Sequence, residues 1–521
     1  VSESLERRIV TGLIVSNDFT RNMAKLWKNG WLKSEELNRV AEWCLEFYNT
    51  YSKVPDRDIE NIYLSKKPQL NKADAEYIEL MLTKISDEFE RSDKFNSEYL
   101  FDQAKRYFKE VEIEYVTTMA ADMAERGEPE KAEAFLRGHK FSNPMVNRGL
   151  ELGSERGYER MEAAFAEGAK PIFTYARALG NMLNNHLVRG GFVAFLAPEK
   201  RGKTWLLQDM AFRALRHRCN VAFFQAGDLT ETQQLRRIGI QLSGRSDNED
   251  YCKEHWRSTG DCVFNQYDTC QKPDRSCDFG LYNSVENNAE ALTEFGNRRT
   301  ELESFKNLEK LAEDTPKYIP CRSIVCKDRK PTVWFKKEEE QPVLTGKEAG
   351  LATKEFFEKY KRRFRLVNYP SGMLTVDEVD SCLDEWEEND DFIADFVIID
   401  YADLMTASIP EFRHRQNEVW MGLRGLSQRR HALVATATQA DAASYRRKSL
   451  GLSNFSEDKR KYAHVTAMWG LNQDPWGREK SLGILRINEI VVREGPQSVD
   501  HEVTVLQDIR LGKPVLESFR V

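Results

Sequence analysis

The segment FVAFLAPEKRGKT, residues 192–204, constrains the fold more than any other. An apolar run reads as a buried strand, a short loop breaks it, and Gly202, Lys203 and Thr204 open the helix-like stretch WLLQDMAFRAL. A tight loop feeding a helix N-terminus gathers backbone N–H donors at the positive end of the helix dipole, as a polyphosphate requires. Ala197, Pro198, Glu199, Lys200, Arg201, Gly202, Lys203, Thr204 and Trp205 are therefore the candidate nucleotide cradle. In such a cradle the lysine meets the β- and γ-phosphates and the hydroxyl residue holds Mg²⁺, so ATP and Mg²⁺ are the expected cofactors. The usual pattern opens on glycine; Ala197 stands there instead, and is small enough for the loop to close.

The text around this segment is that of an α/β domain. Strand candidates FVAFLA, NVAFFQA (220–226), DFVIID (395–400), HALVATATQ (431–439) and SLGILRINEIVV (481–492) alternate with helical segments, the mark of a mainly parallel sheet flanked by helices. The interval between the second and third strands is far longer than one crossover helix needs, so 243–349 reads as an insertion. Before the sheet, 1–140 reads as an all-α domain, with apolar stripes such as Leu37, Val40, Ala41 and Cys44 at helical spacing. The loop-like stretch 141–190 reads as a linker with a linker helix, and 191–521 as the interrupted α/β domain.

Composition bounds the partners. With 521 residues, 40% of them hydrophobic and 31% charged, the chain has core material for more than one domain. A net charge of -7 argues against coating nucleic acid with the whole surface, so a polyanion must meet a local patch. No membrane-length apolar run and no signal-peptide core are visible, which makes a cytoplasmic location the expectation. Of 9 cysteines, six fall within the insertion, and Cys262, Cys270, Cys277, Cys321 and Cys326 make one cluster in it. Cys270, Cys277, Cys321 and Cys326 make two pairs suited to a structural Zn²⁺, with Cys252 and Cys262 as spare ligands. An insertion with so little core of its own would gain from a metal.

Two acids complete the chemistry. Asp400 ends an apolar strand, where open α/β sheets bind ligands, and is the candidate Mg²⁺ carboxylate together with Thr204; Asp403 is its neighbour and competitor. Asp228 follows the second strand and could polarise the water that attacks the γ-phosphate. The same residue could cap the next helix, with Thr230 as the alternative cap and Glu231 as the fallback acid.

In this order the motifs APEKRGKT, FFQAGDLT and IIDYADLM resemble the ATPase domain of DnaB-type replicative helicases, in the RecA-like superfamily. The resemblance extends to Asn417 and Glu418, to VATATQAD with Gln439, and to VVREGP with Arg493 and Gly495. It implies a RecA-like P-loop ATPase in which Lys203 and Asp400 serve phosphate and metal, Asp228 is the base and Gln439 senses the γ-phosphate. Arg493 would reach into a neighbouring subunit's nucleotide. The family's lysine before that arginine is Val491 here, which leaves Arg493 to act alone or with Arg486. The segment after Gln439 carries Arg446, Arg447 and Lys448, then Lys459, Arg460 and Lys461, positive charge that could grip the phosphates of a single strand. The resemblance further implies a hexameric ring that hydrolyses ATP, translocates on single-stranded DNA and unwinds duplex at a replication fork. Primase and a helicase loader are the implied partners; the unusual insertion and diverged motifs suit a phage or mobile element, so the cytoplasm of a bacterium or a phage-infected host is the expected location. A RecA-like recombinase or recombination mediator, or an ATP-gated replication scaffold, are the alternatives.

Overall fold

A computed structural model describes residues 3–24, 26–27, 30–90, 96–138, 152–153, 157–158, 161–162, 164–165, 170–277, 312–323, 325–407, 412–455, 459–493 and 501–520. It divides into two units, Val1–Gly168 with Leu383–Ile393, and Ala169–Cys382 with Ala394–Val521. Of the linker expected at 141–190, most of the part up to residue 169 lies outside the described residues.

The first unit is helical wherever its longer stretches are described. Glu3–Val15, Glu35–Tyr51, Lys72–Glu90 and Ser97–Glu125 are its longer helices, and Ile9, Leu13, Val40, Cys44, Ile78, Leu100 and Phe108 fill the space between them. Local chemistry starts these helices: the Ser34 hydroxyl accepts from the Leu37 N–H and the Asn96 side chain from the Tyr99 N–H, satisfying donors a helix otherwise leaves orphaned.

The second unit is built on one nine-stranded sheet among the described residues. In chain order its strands are β1 (Phe192–Ala197), β2 (Val221–Gln225), then β5 (Phe364–Asn368), β6 (Phe396–Asp400), β7 (Leu433–Gln439), β8 (Ala467–Asn472), β9 (Ile484–Val492), β10 (Glu502–Asp508) and β11 (Lys513–Phe519). Between β2 and β5 in the chain, β3 (His255–Cys262) and β4 (Pro331–Glu338) form a separate antiparallel pair. The spatial order of the main sheet is β11-β10-β9-β8-β1-β7-β6-β2-β5. From β8 to β5 all neighbours are parallel, whereas β8 to β11 are joined antiparallel. Strands β1, β2 and β6 are buried along their whole length, which is why they read as unbroken apolar runs. Register then sets the site: Ala197 pairs with Gln439, and Gln225 with Asp400.

The five strands expected from sequence are present, and β5, β8, β10 and β11 were not foreseen. The β5 residues FRLVN are only half-buried, and β10 and β11 carry polar residues throughout, so neither gives the solid apolar run that marks a central strand.

The zinc expectation finds no support in the structure. Among the described residues no group of three or more His, Cys, Asp or Glu is placed to hold a metal ion, and Cys270, Cys277, Cys321 and Cys326 are free thiols. The insertion has other supports. Tyr318, Val333, Trp334 and Phe335 pack with Ile484, Leu506 and Phe519 of β9, β10 and β11, so it borrows a core from the antiparallel end of the main sheet. Asp261 on β3 is fully buried and accepts from Tyr318 Oη at 2.6 Å, the Cys321 N–H at 2.7 Å and Gln266 Nε2 at 2.9 Å. Burial pushes its carboxyl up, and these donors hold it down. Replacing Asp261 by Ala strands several buried donors at once, so a loss of about 3 kcal/mol or more is expected in denaturant unfolding; a change below about 0.5 kcal/mol would contradict this role.

Candidate nucleotide and metal site

The C-terminal ends of β1, β7, β6 and β2 lie side by side, and the loops leaving them converge. After β1 the chain turns through Gly202, whose φ of 86° only glycine adopts without strain, and enters the helix Lys203–Arg216. No side chain caps this helix, so its first N–H groups remain available to an anion.

Lys203 is half-buried and folds back over the loop. Its Nζ donates to the Ala197 carbonyl at 3.1 Å and lies 5.3 Å from the centre of the Tyr401 ring. Burial lowers its pKa, opposed by Asp403, Asp400, Asp228 and Glu199. The ammonium thus sits among acids, ready to exchange carbonyl contacts for phosphate oxygens.

Beneath it Thr204 is buried and faces Asp400, which is fully buried at the end of β6. Burial pushes the Asp400 carboxyl up to about 6; the nearby Asp228 pushes the same way, while the Thr204 hydroxyl, Arg237 and Lys203 pull it down. Gln225, with its amide oriented to satisfy both ends, donates to Asp400 Oδ2 at 3.0 Å and accepts from the Leu229 N–H at 3.1 Å. Asp400 Oδ1 is buried with no hydrogen-bond partner. An orphaned carboxylate oxygen beside a threonine hydroxyl fits a hard cation and its water shell, so Thr204 and Asp400 suit Mg²⁺.

Asp403, the competitor, is committed elsewhere. It accepts from Thr438 Oγ1 at 2.8 Å, the Gln439 N–H at 2.9 Å and Lys461 Nζ at 2.7 Å. Asp228 is exposed and follows Gly227, where a side chain would strike the backbone of Ser371 at 2.3 Å. The helix Glu231–Ser243 is capped by Thr230, in a reciprocal bond with Gln233, so capping does not occupy Asp228. Glu231 lies exposed in the first turn of that helix. Gln439 reaches back to the cradle, its Nε2 donating to Glu199 Oε1 at 2.9 Å.

The remaining candidates divide. Arg446, Arg447 and Lys448 are exposed beyond β7, but Lys461 is buried against Asp403 and is not a surface cation. Arg493 is exposed at the end of β9 and donates through Nη2 to the Ala463 carbonyl, and Gly495 lies outside the described residues. The suggestion that Arg486 serves a neighbouring subunit is corrected: it is buried, bonded to Glu479 at 2.8 Å and to Glu502 at 3.0 Å. Val491 pairs with Met468 inside the sheet. His464 Nε2 lies 3.0 Å from Asn417 Oδ1, and Glu418 keeps a buried oxygen without a partner.

Gln225 and Arg237 escape the sequence, and Tyr401 shows in it only as the aromatic after Asp400. Gln225 is the last residue of a strand, Tyr401 follows Asp400, and Arg237 rests 5.5 Å from the Trp205 ring within electrostatic range of Asp400 and Asp228. For Arg237 a signal existed, since it stands one turn after Gln233, the partner of the capping threonine, on the same helix face.

No family model and no curated protein matches this chain. Among solved structures it is similar to a DnaB-like replicative helicase described with its interactions with primase, at 11% identity over 98% of both chains and a TM-score of 0.43. It is also similar to a second solved structure described as an ATPase domain, at 12% identity over 70% of this chain and 99% of that one, with a TM-score of 0.42. At this level of similarity the fold stands on the chain's own strand order and side-chain geometry.

A buried acid with a raised pKa costs stability once ionised. Because the folded value, about 6, exceeds the ordinary 3.8, the favourable contribution of protonated Asp400 is complete below the ordinary value and lost as pH rises through the folded one. Asp400→Asn is therefore expected to stabilise the nucleotide-free protein by up to about 3 kcal/mol at pH 7.5 and hardly at pH 4 in denaturant unfolding. An equal effect at both pH values would contradict the assignment.

Proposed function

We propose that this chain is an ATP-driven replicative DNA helicase that assembles as a ring, translocates on single-stranded DNA and unwinds duplex. The observation that carries the ATPase half is the stacked set of Lys203 over the cradle, Thr204 at the helix start and Asp400 beneath it with one oxygen unpartnered. The resemblance in motif order carries the rest. The helical residues 1–140 would serve assembly, 141–190 the linker, and 191–521 the motor, interrupted by 243–349.

Phosphoryl transfer needs charge neutralised and reactants aligned more than it needs covalent chemistry. Lys203 and the helix N–H groups would hold the β- and γ-phosphates; bound Mg²⁺, held by Thr204 and Asp400, would supply further charge neutralisation. Asp228, exposed beside this acid and free of a capping duty, would orient the attacking water. Gln439 would exchange Glu199 for the γ-phosphate, and Arg493 would complete the site of an adjacent subunit. The exposed Arg446, Arg447 and Lys448 would hold DNA phosphates without reading bases. Primase and a loader are natural partners for such a motor, in the cytoplasm of a bacterium or phage-infected cell.

Forked DNA with one labelled strand tests this reading. ATP-dependent strand release is expected, and filament formation on single-stranded DNA with no release would favour a recombinase instead. Lys203→Ala should abolish phosphate release, and Arg493→Ala should lower kcat by about 10³-fold or more; unchanged rates in both would overturn the site. Arg237→Gln removes a cation that favours the ionised acids, so the acid limb of the pH–rate profile should move to higher pH; an unmoved limb would exclude that role.

A further inference from the structure

The carboxylate of Asp403 holds two separate parts of the chain that flank the basic segment. Its Oδ2 accepts from the Gln439 N–H at 2.9 Å, where β7 ends and the segment bearing Arg446, Arg447 and Lys448 begins. Its Oδ1 accepts from Lys461 Nζ at 2.7 Å, where the chain turns back toward β8. Thr438 Oγ1 binds both partners, donating to Asp403 at 2.8 Å and lying 3.3 Å from Lys461 Nζ. The Lys461 side chain is 1% exposed and that of Asp403 8%, and the ammonium stands 5.9 Å from the ring of the buried Trp420. Asp403 itself sits on the short turn Ala402–Leu404, two residues beyond the Tyr401 that follows Asp400.

We propose that Asp403 and Lys461 are positioning residues that tie the DNA-holding segment to the nucleotide state, a role that rests on the helicase reading given above. A buried ion pair is a poor device for stability alone, because the desolvation of both charges offsets much of what their attraction supplies. Here it joins a point beside the γ-phosphate sensor to the far end of the basic segment. When Gln439 leaves Glu199 for a phosphate, its N–H pulls on the carboxylate that also anchors Lys461. The exposed cations between these anchors are then presented differently with ATP than with ADP.

The test uses the full-length chain and a fluorescein-labelled oligothymidine, with affinity read by anisotropy in Mg²⁺ with a non-hydrolysable ATP analogue and again with ADP. The wild type should distinguish the two states by about 5- to 150-fold. Lys461→Met should bring that ratio to within about twofold while DNA-free ATP hydrolysis persists; a wild-type ratio in this variant overturns the proposal. Should Lys461→Met melt early, the double variant D403N/K461M removes both charges together and is read by the same ratio, since a neutral pair avoids a lone buried charge. A wild type that hydrolyses ATP in a Lys203-dependent way but binds DNA equally in both states defeats the coupling alone. A wild type without such hydrolysis defeats the helicase reading with it.

Discussion

The burial of Asp400 at the end of β6 is the constraint from which the rest of the site derives. A carboxylate with no water around it must be neutral, paired or facing a cation. Its surroundings provide all three pressures: Gln225 donates to one oxygen, Lys203 and Arg237 lend positive charge, and Asp228 pushes toward protonation. The oxygen left over is the one that can meet a metal shell. The left-handed turn at Gly202, the uncapped helix after it and the folded-back Lys203 serve the same place. Each departs from what stability alone would favour, as residues at a ligand site commonly do.

The parallel half of the sheet makes this convergence possible, and the antiparallel half makes the insertion possible. Side-by-side parallel strands bring Ala197, Gln439, Asp400 and Gln225 to one edge by register alone. At the other end, β9, β10 and β11 offer Ile484, Leu506 and Phe519 as a floor for Tyr318 and Trp334. An inserted segment can bury aromatic rings on an existing sheet in this way, with Asp261 satisfied by its own donors.

How much was legible in the sequence depended on whether a residue's role was local. Gly202, Lys203 and Thr204 declare themselves because loop and helix start are contiguous in the chain, and Asp400 because a fully buried strand leaves an unbroken apolar run. The cysteine spacing gives no sign of the apolar floor that distant strands supply to the insertion. Lys461 and Arg486 misled for a related reason: both look like surface cations in a basic or terminal segment, and both are buried on acids that the local sequence pattern does not single out. Gln225 stayed silent because the acid it serves, Asp400, comes from another strand, and Arg237 showed only a faint local signal, its place one turn after Gln233.

The central claim is that a metal-bound nucleoside triphosphate binds with its cation on Asp400, and calorimetric titration with Mg·ATP in buffers of different ionisation enthalpy measures it most directly. With the Asp400 carboxyl near 6, binding at pH 6 must displace its proton, so about half a proton per site should be released there and almost none at pH 8. The release at pH 6 should vanish in Asp400→Asn. Binding without any proton release at pH 6, or no binding of Mg·ATP at all, would contradict the account.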